Sequence, residues 1–423
     1  MTMIQLADNA SPLVPFPASS FEEWRSAVVA AGVAPVIAVA GSRGKSIVVR
    51  LLDHVFRHAG LRTALWTNQG VEIGGCRQVG ELVPWSQAVI RAARNDLDIV
   101  IQELDWSMVH AVGLPPASYP VAAITNLCVN SDTCLVQAES RRASRAMTEI
   151  ERAVCRAGSL ILNGDDFAVA RANRQTEATI VLVGSSADSP VMRVHLQRGG
   201  SAAWTKRGEM RYRGSGDSLQ LGATEGLEWA LAGSAAFQVQ NAMVAASTAI
   251  ACGLPATLVA AAIATFRPDP QWLPGSFNVV RTSGLTVVLD RPAPSWFLQA
   301  SLRAIAHIPA HRLLTVVGDL SGVPHDDLPE LGRLLGRGGG AVLLGVNHHE
   351  PEQAALFRLG LGANEVPPII LATGSERDAV SRALSLAQPG DLLYVLARDP
   401  GPVLSLLNQP ERRSPDLRFT TSR

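Results

Sequence analysis

The apolar run Val36–Ala40 passes straight into Gly41-Ser42-Arg43-Gly44-Lys45-Ser46, and a stretch rich in helix formers follows from Ile47 to His58. Strand, glycine loop and helix start, in that order, constrain the fold more than any other feature. It is the order a phosphate-binding loop needs. The two glycines let backbone N–H groups close in on phosphate oxygens, and the helix N-terminus adds partial positive charge. Lys45 can reach the outer phosphates of a nucleotide, and the Ser46 hydroxyl can sit on Mg²⁺. Gly41, Ser42, Arg43, Gly44, Lys45 and Ser46 are therefore the first candidate binding residues. The loop has the shorter G-x-x-G-K-S form, because Val39 stands where the full pattern has its first glycine.

Short apolar runs then alternate with helix-length stretches. Val36–Ala40, Thr63–Thr67, Ile99–Glu103, Val121–Thr125, Ser159–Leu162 and Ile180–Val183 read as buried parallel strands. That rhythm predicts an α/β protein with a sheet covered on both faces. Residues 190–232 are polar and glycine-rich and are expected to form antiparallel hairpins at the sheet edge. Ala235–Ala251 and Pro255–Phe266 read as apolar helices, and Phe21–Gly32 as a short one. A proline-rich joint, Arg267 to Gly275, is the best interdomain linker. After it the rhythm restarts, with strands expected at Leu285–Asp290, Leu313–Gly318, Ala341–Gly345, Ile369–Ala372 and Leu392–Leu396. The expected domains are an extension over 1–34, a P-loop domain over 35–267, a Rossmann-like domain over 268–410 and a tail over 411–423.

Composition bounds the function. The chain has 423 residues, 47% apolar and 17% charged, enough to bury two or three cores. Lys plus Arg equals Asp plus Glu at 37 each, so no broad field favours nucleic acid or an anionic membrane. Cys76, Cys128, Cys134, Cys155 and Cys252 form no C-x-x-C pair and read as reduced core thiols. The N-terminus has no basic region followed by an apolar one, and no run is long enough to span a bilayer. The expected location is the cytoplasm.

Several landmarks resemble the Mur ligase superfamily, and most closely the Mur-like C-terminal half of cyanophycin synthetase. The P-loop is also similar to that of poly-γ-glutamate synthase. Thr67-Asn68-Gln69-Gly70-Val71-Glu72-Ile73-Gly74-Gly75 resembles the family's TTDG-x-x-IGG segment. Glu103 ends a strand, with Gly113-Leu114 at the spacing of the ETARGGILRxGL segment. Thr125-Asn126 ends the next strand. Leu162-Asn163-Gly164-Asp165-Asp166 resembles LNADD, and Asn241 lies in an alanine-rich helix like N-A-x-A-A. Pro274-Gly275-Ser276-Phe277-Asn278 resembles PGRFN, and Asp290 stands where DYAHNP begins.

The resemblance implies a P-loop central domain, a smaller Rossmann-like C-terminal domain, and ATP bound in a cleft between them. It implies a ligase: ATP phosphorylates a carboxylate of an amino acid or peptide chain end, an amine attacks the acyl phosphate, and phosphate leaves. Lys45 and Glu103 would be catalytic, and Ser46 and Glu103 would hold Mg²⁺. Asn241 would contact the adenine end and Asp290 the ribose. With only about 34 residues ahead of the first strand, the specificity elements are expected to be small or to come from a partner. Expected partners are ATP, an amino-acid or peptide substrate, and a second copy of the chain or a ligase subunit. The sequence also departs from the family. The DH pair falls on Asn130 and Ser131, with Asp132 next door, and the helix lysine near Met147. The PGR arginine is Ser276, and the DYAHNP histidine is Ala293. The double arginine falls on Val323 and Pro324. Arg43 and Arg291 are the candidate replacement cations. The alternative is a catalytically degenerate relative serving an active ligase. His348-His349 read as a solvated pair, and His325-Asp326-Asp327 as a helix start.

Overall fold

The computed structural model describes residues 35–67, 70–77, 97–114, 117–127, 137–170, 176–214, 216–320, 322–337, 340–345 and 351–407. The Phe21–Gly32 helix and the charged tail lie outside these residues. So do Asn68, Gln69, Cys128, Asn130, Ser131, Asp132, Cys134, His348 and His349. The chain forms two compact units. The first runs to Pro268 and includes Ala300–His307. The second comprises Asp269–Gln299 and resumes at Ile308.

The first unit is built on an 11-stranded sheet. Its strands are β1 (Val36–Ala40), β2 (Thr63–Thr67), β3 (Gly70–Ile73), β4 (Cys76–Arg77), β5 (Ile99–Leu104) and β6 (Tyr119–Ile124). They continue with β7 (Val154–Asn163), β8 (Thr179–Gly184), β9 (Ser201–Lys206), β10 (Glu209–Arg213) and β11 (Ser218–Ala223). The order is β11-β10-β9-β8-β7-β6-β1-β5-β2-β3-β4, so β1 sits mid-sheet between β5 and β6, parallel to both. Every residue of β1, β5 and β6 is buried. A central parallel strand has helices over both faces, so near-continuous apolar runs are what its position demands.

Antiparallel strands finish both edges. The β9–β10–β11 meander matches the expected hairpins. Pro190–Gln197, expected as part of those hairpins, is instead a helix. The Ser189 hydroxyl caps it by accepting from the Met192 N–H, and Pro190 opens its first turn. The β2–β3–β4 turns were not read from sequence.

The second unit has a six-stranded sheet: β12 (Asn278–Thr282), β13 (Leu285–Asp290), β14 (Leu313–Val317), β15 (Ala341–Leu344), β16 (Ile369–Ala372) and β17 (Leu392–Leu396). Its order is β12-β13-β17-β14-β15-β16, parallel except for β12. The expected strands are present, and β12 is an addition. His325–Asp327 forms the expected helix start, with Asp327 accepting from the Ser295 N–H and hydroxyl. Two of the three described cysteines, Cys155 and Cys252, are buried, while Cys76 is exposed and is not the core thiol expected. Burial pushes the Cys155 thiol up to about 11, so it stays protonated and unreactive.

Candidate functional site

Two glycines shape the loop after β1. Gly41 has φ 146° and Gly44 has φ 82°, a backbone region that L side chains rarely adopt. A Cβ at Gly41 would lie 1.9 Å from the Thr125 hydroxyl, and one at Gly44 would lie 2.5 Å from Asn241 Oδ1. Space as well as torsion therefore demands glycine at Gly41, while at Gly44 the torsion favours it and a Cβ would have to displace the Asn241 side chain. The helix Lys45–His58 starts at Gly44 with no side-chain cap and no acidic residue in its first turn. Its first N–H groups have no acceptor within the helix, which is the condition for anion binding at a helix end.

The loop is held from behind by the segment after β6. The Ser42 N–H donates to the Asn126 carbonyl at 2.9 Å, and the Arg43 N–H to Asn126 Oδ1 at 3.0 Å. The Thr125 hydroxyl and the Asn126 amide both donate to the Arg43 carbonyl, at 2.6 and 2.9 Å. A second layer supports that segment. Asn163 donates to the Thr125 carbonyl at 2.7 Å, and an Asp166 carboxylate oxygen accepts from the Leu127 N–H at 2.8 Å. Gln240 donates to Asn163 at 2.6 Å, and its neighbour Asn241 donates to Gln238 at 3.0 Å.

The register of the sheet delivers the carboxylate. Glu103 on β5 pairs with Val39 on β1, one residue before the strand ends. Its two oxygens lie 3.1 and 3.0 Å from the Ser46 hydroxyl. Lys45 Nζ lies 3.9 Å from the same carboxylate and donates to the Gly41 carbonyl at 2.8 Å. Burial pushes the Glu103 carboxyl above the ordinary range, against the pull of Lys45 and the Ser46 hydroxyl. Arg50, one helical turn beyond Ser46, is paired with the buried Glu72 of β3 through both guanidinium nitrogens.

The structure thus brings Gly41, Ser42, Arg43, Gly44, Lys45, Ser46, Glu103 and Asn241 together in the first unit. Asn241 abuts the loop glycine itself. Asp290 belongs to the second unit, where it ends β13, is buried and accepts from the Arg291 N–H at 2.9 Å. The residues that hold the loop but were not singled out as site candidates are Thr125, Asn126, Asn163, Asp166 and Trp106. The first four carried part of the family likeness, and that was their only signal. The departures also have a physical form. Met147 belongs to the apolar core of the first unit, and Ala293 and Val323 are buried.

The donor chemistry fits Mg²⁺, a hard cation that takes one or two protein oxygens and fills its shell with water and phosphate. Ser46 and Glu103 offer that set, beside a loop in which a Cβ would fill the cradle. Among the described residues no group of three or more His, Cys, Asp or Glu side chains could hold a metal without such help. None of the described helices is long and apolar enough to cross a membrane.

No protein-family model matches the chain. A cyanophycin synthetase of Trichormus variabilis is 21% identical over 386 residues, covering 89% of this chain and 42% of that protein. This chain therefore spans less than half the length of that relative. A UDP-N-acetylmuramoyl-L-alanyl-D-glutamate–2,6-diaminopimelate ligase of Aquifex aeolicus is 22% identical over 373 residues, covering 86% and 72%. Among solved structures, the MurF ligase of Thermotoga maritima in complex with ADP superposes with a TM-score of 0.59 at 17% identity, covering 93% and 84%. The folylpolyglutamate synthase of Mycobacterium tuberculosis complexed with ADP gives 0.59 at 16%, covering 93% and 94%. The sequence relatives are cyanophycin synthetases and Mur ligases, and the solved neighbours share the two-unit Mur ligase fold. Both support a likeness to the Mur ligase superfamily, close to cyanophycin synthetase.

Proposed function

We propose that the chain is an ATP-dependent carboxylate–amine ligase acting on an amino acid or peptide chain end through an acyl phosphate. The observation that carries this reading is the contact of Ser46 with both oxygens of Glu103, behind a glycine loop with no room for a Cβ. Phosphoryl transfer asks mainly for positioning and charge neutralisation. Here the helix N-terminus would bind phosphate oxygens and Lys45 would supply the charge. Ser46 and Glu103 would hold Mg²⁺, which neutralises phosphate charge when bound. Asn241, against Gly44, would border the nucleotide. The relatives named as ligases and the neighbours solved with ADP support this reading.

The reaction transfers the terminal phosphoryl group to a substrate carboxylate oxygen. The amine then attacks the acyl carbon, and phosphate leaves with that oxygen. The test follows from the atoms. With the carboxylate labelled in ¹⁸O, the released phosphate carries one label, and amide forms in equal amount. Lys45→Ala lowers turnover by at least about a hundredfold, the scale of losing one electrostatic stabiliser. Phosphate released without label would exclude the acyl phosphate. Nucleotide binding with no turnover on any amino-acid or peptide substrate would replace this reading with that of a degenerate relative.

A further inference from the structure

The nucleotide reading leaves one polar contact at the loop unused. Trp106 opens the helix Trp106–Val112, three residues after Glu103, and Asp105 caps that helix by accepting from the Ser107 N–H at 2.9 Å. The indole Nε1 donates to Ser42 Oγ at 3.1 Å, and Ser42 Oγ donates to the Leu127 carbonyl at 2.6 Å. The ring is half-buried and packs on the core of the first unit. The two bonds join the segments that follow β5, β1 and β6, three neighbouring strands. The first follows the strand that carries Glu103, the next is the glycine loop, and the third staples that loop.

A serine hydroxyl has one proton and two lone pairs. The Ser42 proton is committed to Leu127, and a lone pair takes the indole proton. Its N–H is committed to Asn126 as well. Ser42 therefore offers no donor to a phosphate in this arrangement. It is the pin of a clasp.

We infer that Trp106 is a positioning residue, a clasp that locks the glycine loop to the Glu103 segment through Ser42 so that phosphate and metal ligands are set as one unit. The inference rests on the nucleotide reading above. A neutral indole at this place neither adds charge nor binds the ligand. It fixes the distance between two groups that do. Removing it takes away one of the ties between the loop and the end of β5, while Ser46, Lys45 and Glu103 stay intact.

The experiment titrates Mg-ADP into the full chain carrying Trp106→Phe, Ser42→Ala or both, beside wild type and Lys45→Ala. Phenylalanine keeps the ring on the core and loses only the donor, and Ser42→Ala gives the same test without touching the ring. Trp106→Phe is expected to weaken binding about threefold to tenfold, the scale of one hydrogen bond. The double variant is expected to bind no worse than Ser42→Ala alone, because both changes cut one relay. The wild-type emission minus that of Trp106→Phe is expected to change on adding Mg-ADP and to saturate with it, a signature that a purely structural ring would not give. Binding by Trp106→Phe within about twofold of wild type, with additive losses in the double variant and no change in the difference spectrum, overturns the clasp alone. Wild type that binds no Mg-ADP overturns the nucleotide reading and the clasp with it.

Discussion

At the residue scale the decisive group is Glu103. Its folded-state carboxyl is raised by burial, so the native state holds its proton to a higher pH than the unfolded chain does. The sign follows. Between the ordinary carboxylate range and the raised value the native state binds more protons, so this group's contribution to stability falls as pH rises through that window. Other carboxyls titrate nearby, so the comparison is with Glu103→Gln. Without nucleotide, wild type should lose melting temperature relative to that variant as pH rises through the window. Parallel curves would remove the assignment. The same proton competes with Mg²⁺. Mg-dependent nucleotide affinity should therefore weaken on acidification earlier than it would for an exposed carboxylate, which titrations at several pH values would read. Lys45 and Ser46 were legible because they adjoin a strand and a glycine loop in the chain. Trp106 was not, because its partner Ser42 is 64 residues away. Only the parallel order of β5, β1 and β6 makes them neighbours.

At the element scale, the P-loop helix is fastened on its far side by the Arg50–Glu72 pair, whose side chains are 12% and 3% exposed. Removing Glu72 takes the bidentate partner from a largely buried guanidinium. Glu72→Ala should therefore cost about 3–5 kcal/mol in urea unfolding. Glu177→Ala breaks the pair with Arg156, whose side chains are 68% and 85% exposed, and should cost less than about 1 kcal/mol. Equal costs would mean that the buried pair does not anchor the helix. Gly44→Ala should destabilise the loop and weaken nucleotide binding together, because the new methyl meets Asn241 at a positive φ. Most parallel strands were legible as short apolar runs, β1 and β17 among them, where burial on both faces writes itself into composition. The polar β9–β11 hairpins were legible from glycines and the lack of helical periodicity. The strands missed, β3, β4 and β12, are short elements at or next to a sheet edge, paired antiparallel. Their partners, not their own residues, make them strands. Pro190–Gln197 was missed because eight residues carry little periodicity, although Ser189-Pro190 was a cap signal in plain view.

At the scale of the whole molecule, the chain holds two α/β units, and the glycine loop, Glu103 and the clasp all lie in the first. Asp290 lies in the second. A ligand that binds only the folded state raises stability by mass action, about 2.7 kcal/mol at a hundred times its dissociation constant. Mg-ADP at that excess should therefore raise the melting temperature of wild type, and raise that of Lys45→Ala by at most about half as much. The balanced charge gives no global field to draw in nucleotide, so binding would rest on local groups. The most direct test of the account is one calorimetric titration of the full chain with Mg-ATP, repeated without Mg²⁺ and with Lys45→Ala. Saturable binding that needs the metal and weakens at least about tenfold, or 1.4 kcal/mol, in the variant is the expected result. Binding that is absent, indifferent to Mg²⁺ or unchanged by Lys45→Ala would contradict it.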